Sequence, residues 1–312
     1  MHFDSNCTER NRQLLDRISN LLLRRIRVRL ASVTTQAFRP LARRHMPNRL
    51  QYELRGLAYW AECANPFRRT VTARHLPLGL RIDGYKRDAV GRGLYRRRIH
   101  EPTLTRYILG KYTEGGNFLD VGANIGYFSC LFGKLAGPRG TVVAIEPEPQ
   151  NNALLRRNIA KNDLTNVMVH ACALGAQDGT APMGIYKAAN RGRHSLVDTA
   201  HFRNTIEVPV CRLDDVVRGA NISSWALLKI DVEGYEPFVL QGAADTLSRT
   251  ESLVLEYAPE DWRKAGAEPA ALFEQLAVHF VHVQRFDGDT VVETTAAECL
   301  RSDVKRELLF RR

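Results

Sequence analysis

The feature that most constrains this chain is an apolar strand that runs directly into a turn containing two glycines. Residues 117–126 read Asn-Phe-Leu-Asp-Val-Gly-Ala-Asn-Ile-Gly, and apolar residues at helical spacing follow. Glycine at positions 122 and 126 lets a backbone approach a ligand closely at the start of a helix. A second predicted strand, 141–146, ends in Glu146, where a carboxylate can accept hydrogen bonds from both hydroxyls of a ribose. The pattern therefore predicts a site for a nucleotide-containing cofactor.

The spacing of the turn distinguishes two such cofactors. A dinucleotide fingerprint is G-x-G-x-x-G, whose second glycine admits a pyrophosphate at the helix N-terminus. Here the spacing is G-x-x-x-G, with Asn124 between the glycines and Asp120 two residues before the first of them. A carboxylate at that position would repel a pyrophosphate but suits the cationic amino-acid end of S-adenosylmethionine (SAM). An ordinary glycine turn is the simpler alternative, but with Asp120 and Glu146 both in register we predict SAM rather than NAD.

A second group of charged residues follows a predicted strand at 225–231. Residues 229–236 read Lys-Ile-Asp-Val-Glu-Gly-Tyr-Glu. Asp231 ends the strand, so its carboxylate should emerge beside the glycine turn if the two strands are neighbours. The simpler alternative is a charged strand-to-helix turn, because acidic residues favour the positive N-terminus of a helix. We favour this alternative for Glu236 and a functional role for Asp231.

The rest of the chain from residue 100 onwards predicts alternating strands and helices. The predicted strands are 117–121, 141–146, 166–171, 225–231, 252–257, 280–286 and a short one near 307–311. The predicted helices are 101–112, 126–136, 150–162, 237–249 and 269–279. Such alternation is typical of a mostly parallel sheet with helices on both faces and ligands at the carboxyl ends of its strands. Residues 172–225 interrupt the alternation with short β-like pieces and a polar loop, which predicts an insertion.

The charge of the chain is unevenly distributed. Residues 1–112 carry 24 Lys+Arg against 8 Asp+Glu, a net charge of +16, whereas residues 113–312 carry 21 against 26, a net charge of −5. Residues 10–46 and 50–62 have helical periodicity, and residues 65–93 are rich in proline and glycine, which predicts loops with short strands. An arginine-rich amphipathic helix at 10–46 can lie on an anionic membrane, or it can pack its leucine face on the core or another subunit. We favour the alternative in which residues 10–46 pack on the core or another subunit. Because no aromatic platform accompanies the basic residues, we predict no nucleic-acid binding.

The cysteines and the hydropathy bear on the cellular compartment. The six cysteines form no C-x-x-C pair and the nine histidines form no H-E-x-x-H motif, which argues against a zinc site and a disulfide framework. No signal peptide and no stretch of transmembrane length is visible. We therefore predict a cytoplasmic protein.

Five blocks of this sequence, in order, resemble the FkbM family of SAM-dependent methyltransferases. They are Asp-Val-Gly-Ala-Asn-Ile-Gly at 120–126, Ile-Glu-Pro at 145–147, Ala-Leu-Gly at 173–175, Leu-Asp-Asp at 213–215 and Lys-Ile-Asp-Val-Glu-Gly-Tyr-Glu at 229–236. The resemblance covers roughly residues 100–260. It implies a class I Rossmann-like methyltransferase with a mostly parallel seven-stranded sheet, and O-methylation of hydroxyls on sugars or small molecules.

The resemblance also implies roles for particular residues. The turn that contacts the methionine part of SAM corresponds to Asp120, Gly122, Ala123, Asn124 and Gly126. Glu146 corresponds to the carboxylate that binds the ribose. Asp231 and Glu233 correspond to the family signature after the fourth strand, with Asp231 also counted among the cofactor contacts.

Methyl transfer from a sulfonium is an in-line displacement, so catalysis requires alignment of the acceptor hydroxyl and removal of its proton. Asp231 is our first candidate for the base or orienting group, and Glu233 is a neighbouring candidate. His194 in the polar loop is an alternative base because of its intrinsic pKa, although an exposed loop histidine without function is equally expected. We predict no metal, because the spacing of Asp231, Glu233 and Glu256 is not a metal signature.

Together these inferences predict a basic, mainly helical N-terminal extension at 1–99 and a methyltransferase domain at 100–312. The insertion at 172–225 is expected to shape the pocket for a saccharide, a glycolipid or another small-molecule acceptor. The alternatives are an NAD-linked oxidoreductase or epimerase, and a membrane-associated SAM-binding module without catalytic activity. The acceptor itself and the oligomeric state are not predicted from the sequence.

Overall fold

The computed structural model describes residues 48–65, 69–186, 194–197, 199, 202, 204–288 and 290–312. The amphipathic segment predicted at 10–46 lies outside the described residues. Among the described helices, none is both long enough and apolar enough to cross a membrane.

Eleven α-helices and thirteen strands are described. The helices are α1 (Asn48–Cys63), α2 (Ala89–Arg97), α3 (Pro102–Lys111), α4 (Tyr127–Ala136), α5 (Pro149–Lys161), α6 (Leu213–Arg218), α7 (Glu236–Gln241), α8 (Ala244–Ser248), α9 (Pro259–Lys264), α10 (Pro269–Ala277) and α11 (Ala296–Leu300). The strands are β1 (Thr70–Ala73), β2 (Ile82–Tyr85), β3 (Phe118–Val121), β4 (Val142–Ile145), β5 (Val167–His170), β6 (Ala173–Leu174), β7 (Gly179–Gly184), β8 (Thr205–Cys211), β9 (Leu227–Ile230), β10 (Ser252–Tyr257), β11 (His282–Asp287), β12 (Thr290–Thr294) and β13 (Arg306–Arg311).

A central sheet of eight strands organises the fold, in the order β12-β11-β13-β10-β9-β3-β4-β5. The five strands from β10 to β5 are parallel, and β13, β11 and β12 each run antiparallel to their neighbours. The predicted α/β architecture and its seven strands are confirmed. The eighth strand, β12, was not predicted. It forms a hairpin with β11 around Asp287-Gly288, a dipeptide that is itself a hairpin signal.

The central strands are continuous apolar runs because both of their faces are covered. Successive side chains of a strand point to opposite faces. Phe118 accordingly lies in the hydrophobic cluster on one side of the sheet, and Leu119 lies in the cluster on the other side. The same alternation holds for Val142 and Val143 in β4, so the sheet is the middle layer of three.

The described residues before position 100 pack directly on the central layers. β1 and β2 form an antiparallel hairpin, and the buried Asp83 carboxylate of β2 forms ion pairs with Arg157 (3.0 Å) and Lys161 of α5. Tyr59 of α1 belongs to the same hydrophobic cluster as Phe132 of α4. The domain boundary between residues 99 and 100 stays a prediction, but the residues on its two sides share one core.

Two local predictions need correction. The short strands predicted within 65–93 are present as β1 and β2, but this segment also contains the first half of α2, whose N-terminus is capped by the Asp88 carboxylate accepting from Val90 and Gly91 N–H groups. The prediction of one helix at 237–249 was wrong, because the segment is divided into α7 and α8. The Gly242 carbonyl oxygen accepts from the Asp214 N–H at 3.0 Å and the Thr246 N–H donates to the Asp214 carboxylate at 2.8 Å, so these bonds replace the one that would continue the helix.

The predicted insertion forms a separate small sheet of three strands in the order β6-β8-β7. β7 and β8 are antiparallel partners from Gly179 opposite Val210 to Gly184 opposite Thr205. This sheet lies beyond the carboxyl end of β5, next to the edge of the central sheet where the predicted site residues meet.

Candidate active site

The glycine turn and Asp231 are brought together because β3 and β9 are adjacent parallel strands. Val121 lies opposite Ile230, and the Asp231 N–H donates to the Val121 carbonyl oxygen at 3.1 Å. Gly122 has φ +81°, and a β-carbon there would lie 1.8 Å from the Asp231 carbonyl oxygen. The predicted adjacency is confirmed, and only glycine fits at position 122 because the two loops are in contact.

Two cavities meet at this contact. The first has about 550 Å³ of open space and the second about 410 Å³. Gly122, Asn124 and Asp231 line both. The first cavity also contains Ile145, Glu146, Pro147, Asn151, Cys172, Ala173, Leu174, Met183, His194, Leu196, Glu233 and Tyr235. The second also contains Val90, His100, Glu101, Asp120, Ala123, Ile125, Tyr127, Phe128 and Lys229.

Glu146 is the most buried of the three acidic residues that line the first cavity, and the backbone of two turns holds its carboxyl group. Oε2 accepts from the Asn124 N–H at 2.7 Å, and Oε1 accepts from the Glu148 N–H at 2.9 Å. Burial raises the pKa of Glu146 to about 8, despite these hydrogen bonds. A carboxylate oxygen can accept more than one hydrogen bond, so each oxygen keeps capacity for a further donor.

Asp120 is the buried carboxylate of the second cavity, and its environment differs. Oδ2 accepts from the Ser129 hydroxyl, whereas Oδ1 has no hydrogen-bond partner among the described residues. Burial raises the pKa of Asp120 above its ordinary value. Leaving a buried carboxylate oxygen unsatisfied costs free energy, so this oxygen is suited to a cationic or hydrogen-bond-donating ligand.

Lys229 is a buried ammonium beside the second cavity. Its Nζ lies 2.8 Å from Asp231 Oδ2 and 5.1 Å from the centre of the Phe128 ring. Burial alone would lower the pKa of Lys229, but Asp231, Glu101 and Asp120 outweigh that effect and raise it. The lining thus has three carboxyl groups around one ammonium, which leaves an excess of acidic groups.

Glu101 is the third carboxyl group of this set, and the sequence analysis did not identify it. Its Oε1 lies 3.1 Å from His100 Nε2, and its backbone is in the left-handed region with φ +39°. Burial would raise the pKa of Glu101, but His100 and Lys229 lower it well below its ordinary value. A strained non-glycine residue at the edge of a cavity is often functional. No sequence signal beyond the start of a predicted helix marked this position.

His194 lies in the first cavity, as part of the insertion. Its Nδ1 accepts from the Tyr186 N–H at 2.9 Å. In a neutral imidazole one nitrogen is a donor and the other an acceptor, so this hydrogen bond occupies the basic nitrogen. The arrangement favours Asp231 over His194 as the proton acceptor, and the assignment of the base stays a prediction.

Glu233 belongs to a second cluster of carboxyl groups, together with Asp231 and Glu256. Oxygen atoms of Asp231, Glu233 and Glu256 lie within 4.8 Å of one another. Lys305 Nζ is 2.7 Å from Glu233 Oε2 and 2.8 Å from Glu256 Oε2. A lysine ammonium therefore already balances two of these carboxyl groups, and a divalent cation would have to displace it.

Glu236 has a structural position, as favoured from the sequence. Its Oε1 accepts from the N–H groups of Val232 (2.9 Å) and Gly234 (3.1 Å), and its Oε2 accepts from Trp262 Nε1 at 2.7 Å. Burial raises the pKa of Glu236 to about 7. The side chain holds the loop that carries Asp231 and Glu233 in its conformation.

The remaining predicted site residues are divided between the two cavities and the scaffold. Ala123 lines the second cavity, and Asn124 lines both. Gly126 lines neither and begins α4, where a β-carbon would lie 2.4 Å from Leu155 Cδ1. Packing against α5 explains why residue 126 is a glycine, and a contact between Gly126 and a cofactor stays a prediction.

Comparison with known proteins shows the family of this chain. The model of the methyltransferase FkbM domain matches residues 120–286, which is more than half of the chain. The chain therefore belongs to the FkbM methyltransferase family. The matched region contains the glycine turn, Glu146, the insertion and Asp231.

The individual proteins similar to this chain share only part of its sequence. The 31-O-demethyl-FK506 methyltransferase FkbM of Streptomyces tacrolimicus is 35% identical over 159 residues, which is 42% of this chain and 60% of that protein. The 2-O-methyltransferase NoeI of Sinorhizobium fredii is 26% identical over 193 residues, 57% of this chain and 79% of that protein. The crystal structure of the methyltransferase FkbM from Methylobacillus flagellatus has a TM-score of 0.43 at 18% identity, covering 69% of this chain and 49% of that one. The chain thus spans about three fifths of the length of the Streptomyces relative.

Proposed function

We propose that the protein is a SAM-dependent O-methyltransferase that methylates a hydroxyl group of a saccharide, a glycolipid or another small metabolite. The observation that carries the proposal is the pair of cavities that meet at Gly122 and Asp231. One offers Glu146 in a largely apolar lining, and the other offers the buried Asp120 carboxyl group.

The two cavities fit the two halves of SAM. The first has apolar residues such as Ile145 and Leu174 for an adenine ring and Glu146 for ribose hydroxyls. The second has the unsatisfied Asp120 oxygen for the methionine ammonium. A pyrophosphate, with two negative charges, is a poor match to the acidic groups of the second cavity, which argues against the NAD-linked alternative.

When bound, SAM supplies an activated methyl group on a cationic sulfur. The protein must place an acceptor oxygen behind that methyl group and accept the hydroxyl proton as the new carbon–oxygen bond forms. Asp231 lines both cavities and is partly exposed, so it is our candidate for this base. Lys229 stabilises the Asp231 carboxylate, and Glu233 lies close enough to orient an acceptor hydroxyl.

The insertion is our candidate for the acceptor pocket. Met183, His194 and Leu196 come from it and line the first cavity. The Streptomyces and Sinorhizobium relatives are named for O-methylation, of an FK506 precursor in the first case and at a 2-O position in the second. A hydroxylated acceptor is the class of substrate that these names share.

We retain two further predictions as part of this proposal. The protein is cytoplasmic, and residues 10–46 pack their leucine face on the protein, with contact with an anionic membrane as the alternative for that segment. The former depends on the absence of a C-x-x-C pair and of a signal peptide, and the latter on the arginines among the leucines of that segment. A SAM-binding module without catalytic activity is the remaining alternative.

Titration calorimetry with SAM, S-adenosylhomocysteine and NAD tests the cofactor. We expect micromolar binding of the first two and none of NAD, and the reverse result would contradict the proposal. Incubation with methyl-labelled SAM and a panel of saccharides, glycolipids and hydroxylated metabolites, read by mass spectrometry, tests the transfer. Tight SAM binding without labelling of any acceptor would favour the non-catalytic alternative.

A further inference from the structure

α1 presents a row of apolar side chains to solvent. Leu54, Leu57 and Trp60 are 44%, 60% and 63% exposed, and their spacing of three places them along one side of the helix. The opposite side is anchored by Tyr59, which is fully buried. Trp225 and Trp262 are also fully buried, so Trp60 is the only one of the three tryptophans that is exposed.

The part of the chain that carries this apolar row is strongly basic. The described residues from 48 to 99 include eleven Lys and Arg residues and four Asp and Glu residues. Two of the four acids are buried: Asp83 is paired with α5, and Asp88 caps α2. Glu62 is in hydrogen-bond contact with the Tyr95 hydroxyl, which leaves Glu53 as the exposed acid beside the row.

α2 supplies basic residues directly next to α1. The Arg96 guanidinium lies 4.2 Å from the centre of the Tyr52 ring and packs beside Gly56. Arg92 and Arg97 of the same helix are exposed. The two helices thus combine exposed Leu and Trp side chains with arginines, the composition of surfaces that lie in the interface of an anionic membrane.

We propose that the α1–α2 surface, defined by Leu54, Leu57 and Trp60 with Arg92 and Arg97, docks on an anionic lipid bilayer. Charge complementarity selects this partner. A second copy of the chain would present the same basic surface and be repelled, and a nucleic acid would leave the apolar row uncovered. The surface is distinct from residues 10–46.

The position of the surface is relevant to methyl transfer. Val90, in the first turn of α2, lines the second cavity, so the helix that supplies the arginines also borders the candidate active site. Docking would hold that site near the membrane surface, where a lipid-linked acceptor is concentrated. This consequence rests on the proposed function, whereas the docking itself does not.

The test is co-sedimentation of the full-length protein with phosphatidylcholine vesicles, with and without phosphatidylglycerol. We expect binding only to the anionic vesicles, falling as salt rises, with a blue shift of Trp60 emission. The double variant Leu57→Ser/Trp60→Ser should bind about tenfold more weakly. The matched control is Val278→Ser/Val281→Ser, because these valines are 80% and 77% exposed but lie outside the α1–α2 surface. The control should bind as the unmodified protein does.

Three results would overturn the proposal. The first is absence of binding to anionic vesicles, and the second is equal binding by the Leu57→Ser/Trp60→Ser variant, which would assign membrane contact to another segment. The third is a large loss of thermal stability in that variant but not in the control, since this would mean that residues 1–47 cover the row. Methyl transfer to a water-soluble acceptor is measured in parallel, so failure of docking is distinguished from failure of the enzyme.

Discussion

Two buried carboxylates on either side of the glycine turn differ in how their oxygens are used. Both oxygens of Glu146 accept backbone hydrogen bonds, which tie the glycine turn to the start of α5. Asp120 accepts one hydrogen bond from Ser129, and its other oxygen is buried without a hydrogen-bond partner among the described residues. Glu146 is therefore part of the scaffold as well as a candidate ligand contact. A cation or hydrogen-bond donor that satisfied the second oxygen of Asp120 would remove the cost of burying it without a partner.

Gly122, at the contact where the two cavities meet, should be the position most sensitive to substitution. Gly122→Ala combines a left-handed backbone with a β-carbon 1.8 Å from the Asp231 carbonyl oxygen. We expect loss of SAM binding and destabilisation by more than the roughly 1–2 kcal/mol of backbone strain alone. Thermal denaturation and calorimetry measure both. Gly79→Ala is the matched control, because Gly79 has φ +75° but open space around its α-carbon. Equal effects of the two substitutions would contradict the steric explanation.

Substitution of Asp231, which lines both cavities, tests its proposed role as the base in methyl transfer. Asp231→Asn should lower the turnover number by roughly two orders of magnitude or more, while most of the SAM affinity is retained. Asp245→Asn, at an exposed carboxylate paired with Arg249, is the control. If turnover of the Asp231 variant stays within a few fold, the residue is structural, and His194→Ala becomes the next measurement.

Glu146 tests the first cavity. Glu146→Ala should weaken SAM binding by about 2–4 kcal/mol, because two ribose hydrogen bonds are lost and the ribose hydroxyls are left buried without partners. The binding of adenosine should be weakened as well, since adenosine carries the same ribose. Glu146→Gln should recover part of the affinity, because an amide oxygen can still accept from the backbone. Calorimetric affinities that do not change in the alanine variant would place the ribose elsewhere.

Asp120 tests the second cavity with a smaller expected effect. Asp120→Asn should weaken the binding of SAM and of S-adenosylhomocysteine by about tenfold, because both ligands carry the methionine ammonium. Adenosine binding should be unchanged, since it lacks that group. If adenosine is weakened equally in a calorimetric titration, the division of the ligand between the two cavities is wrong.

The smallest expected effect concerns pH. The pKa of Glu146 is raised by burial from its ordinary value of 4.5 to about 8 in the folded protein. The folded state therefore binds more protons than the unfolded state, and this contribution to stability is present below pH 4.5 and is lost as pH rises to about 8. Glu146→Gln should be less sensitive to pH across that window in urea denaturation. Parallel pH profiles for the variant and the unmodified protein would show that the group does not titrate there.

The local patterns of the sequence were sufficient for much of the fold. Buried strands such as Val142–Ile145 and amphipathic helices such as Pro149–Lys161 were predicted within a residue or two, because their periodicity reflects burial on known faces. β12 and the break at Gly242 were not predicted. The former is a short exposed hairpin strand, and the latter depends on a segment distant in sequence.

The candidate site shows the same limit. Asp120, Glu146 and Asp231 could be found because each ends or lies near the end of a recognisable strand, and parallel strands present those ends at one edge. Glu101 and Lys305 could not be assigned to the site, because their proximity to it depends on helix and strand packing between segments far apart in the chain.

The sequence by itself determined the alternating architecture, the glycine turn and the acidic residues at the ends of its strands, since these are properties of neighbouring residues. Only the tertiary structure decided that Gly122 touches Asp231, that two cavities meet at this contact, and that Asp120, unlike Glu146, has an oxygen without a hydrogen-bond partner among the described residues. The physical reason is that hydrogen bonding and burial are set by the residues across a contact. Gly122 and Asp231, which meet at the ends of the adjacent strands β3 and β9, are more than a hundred residues apart in the sequence.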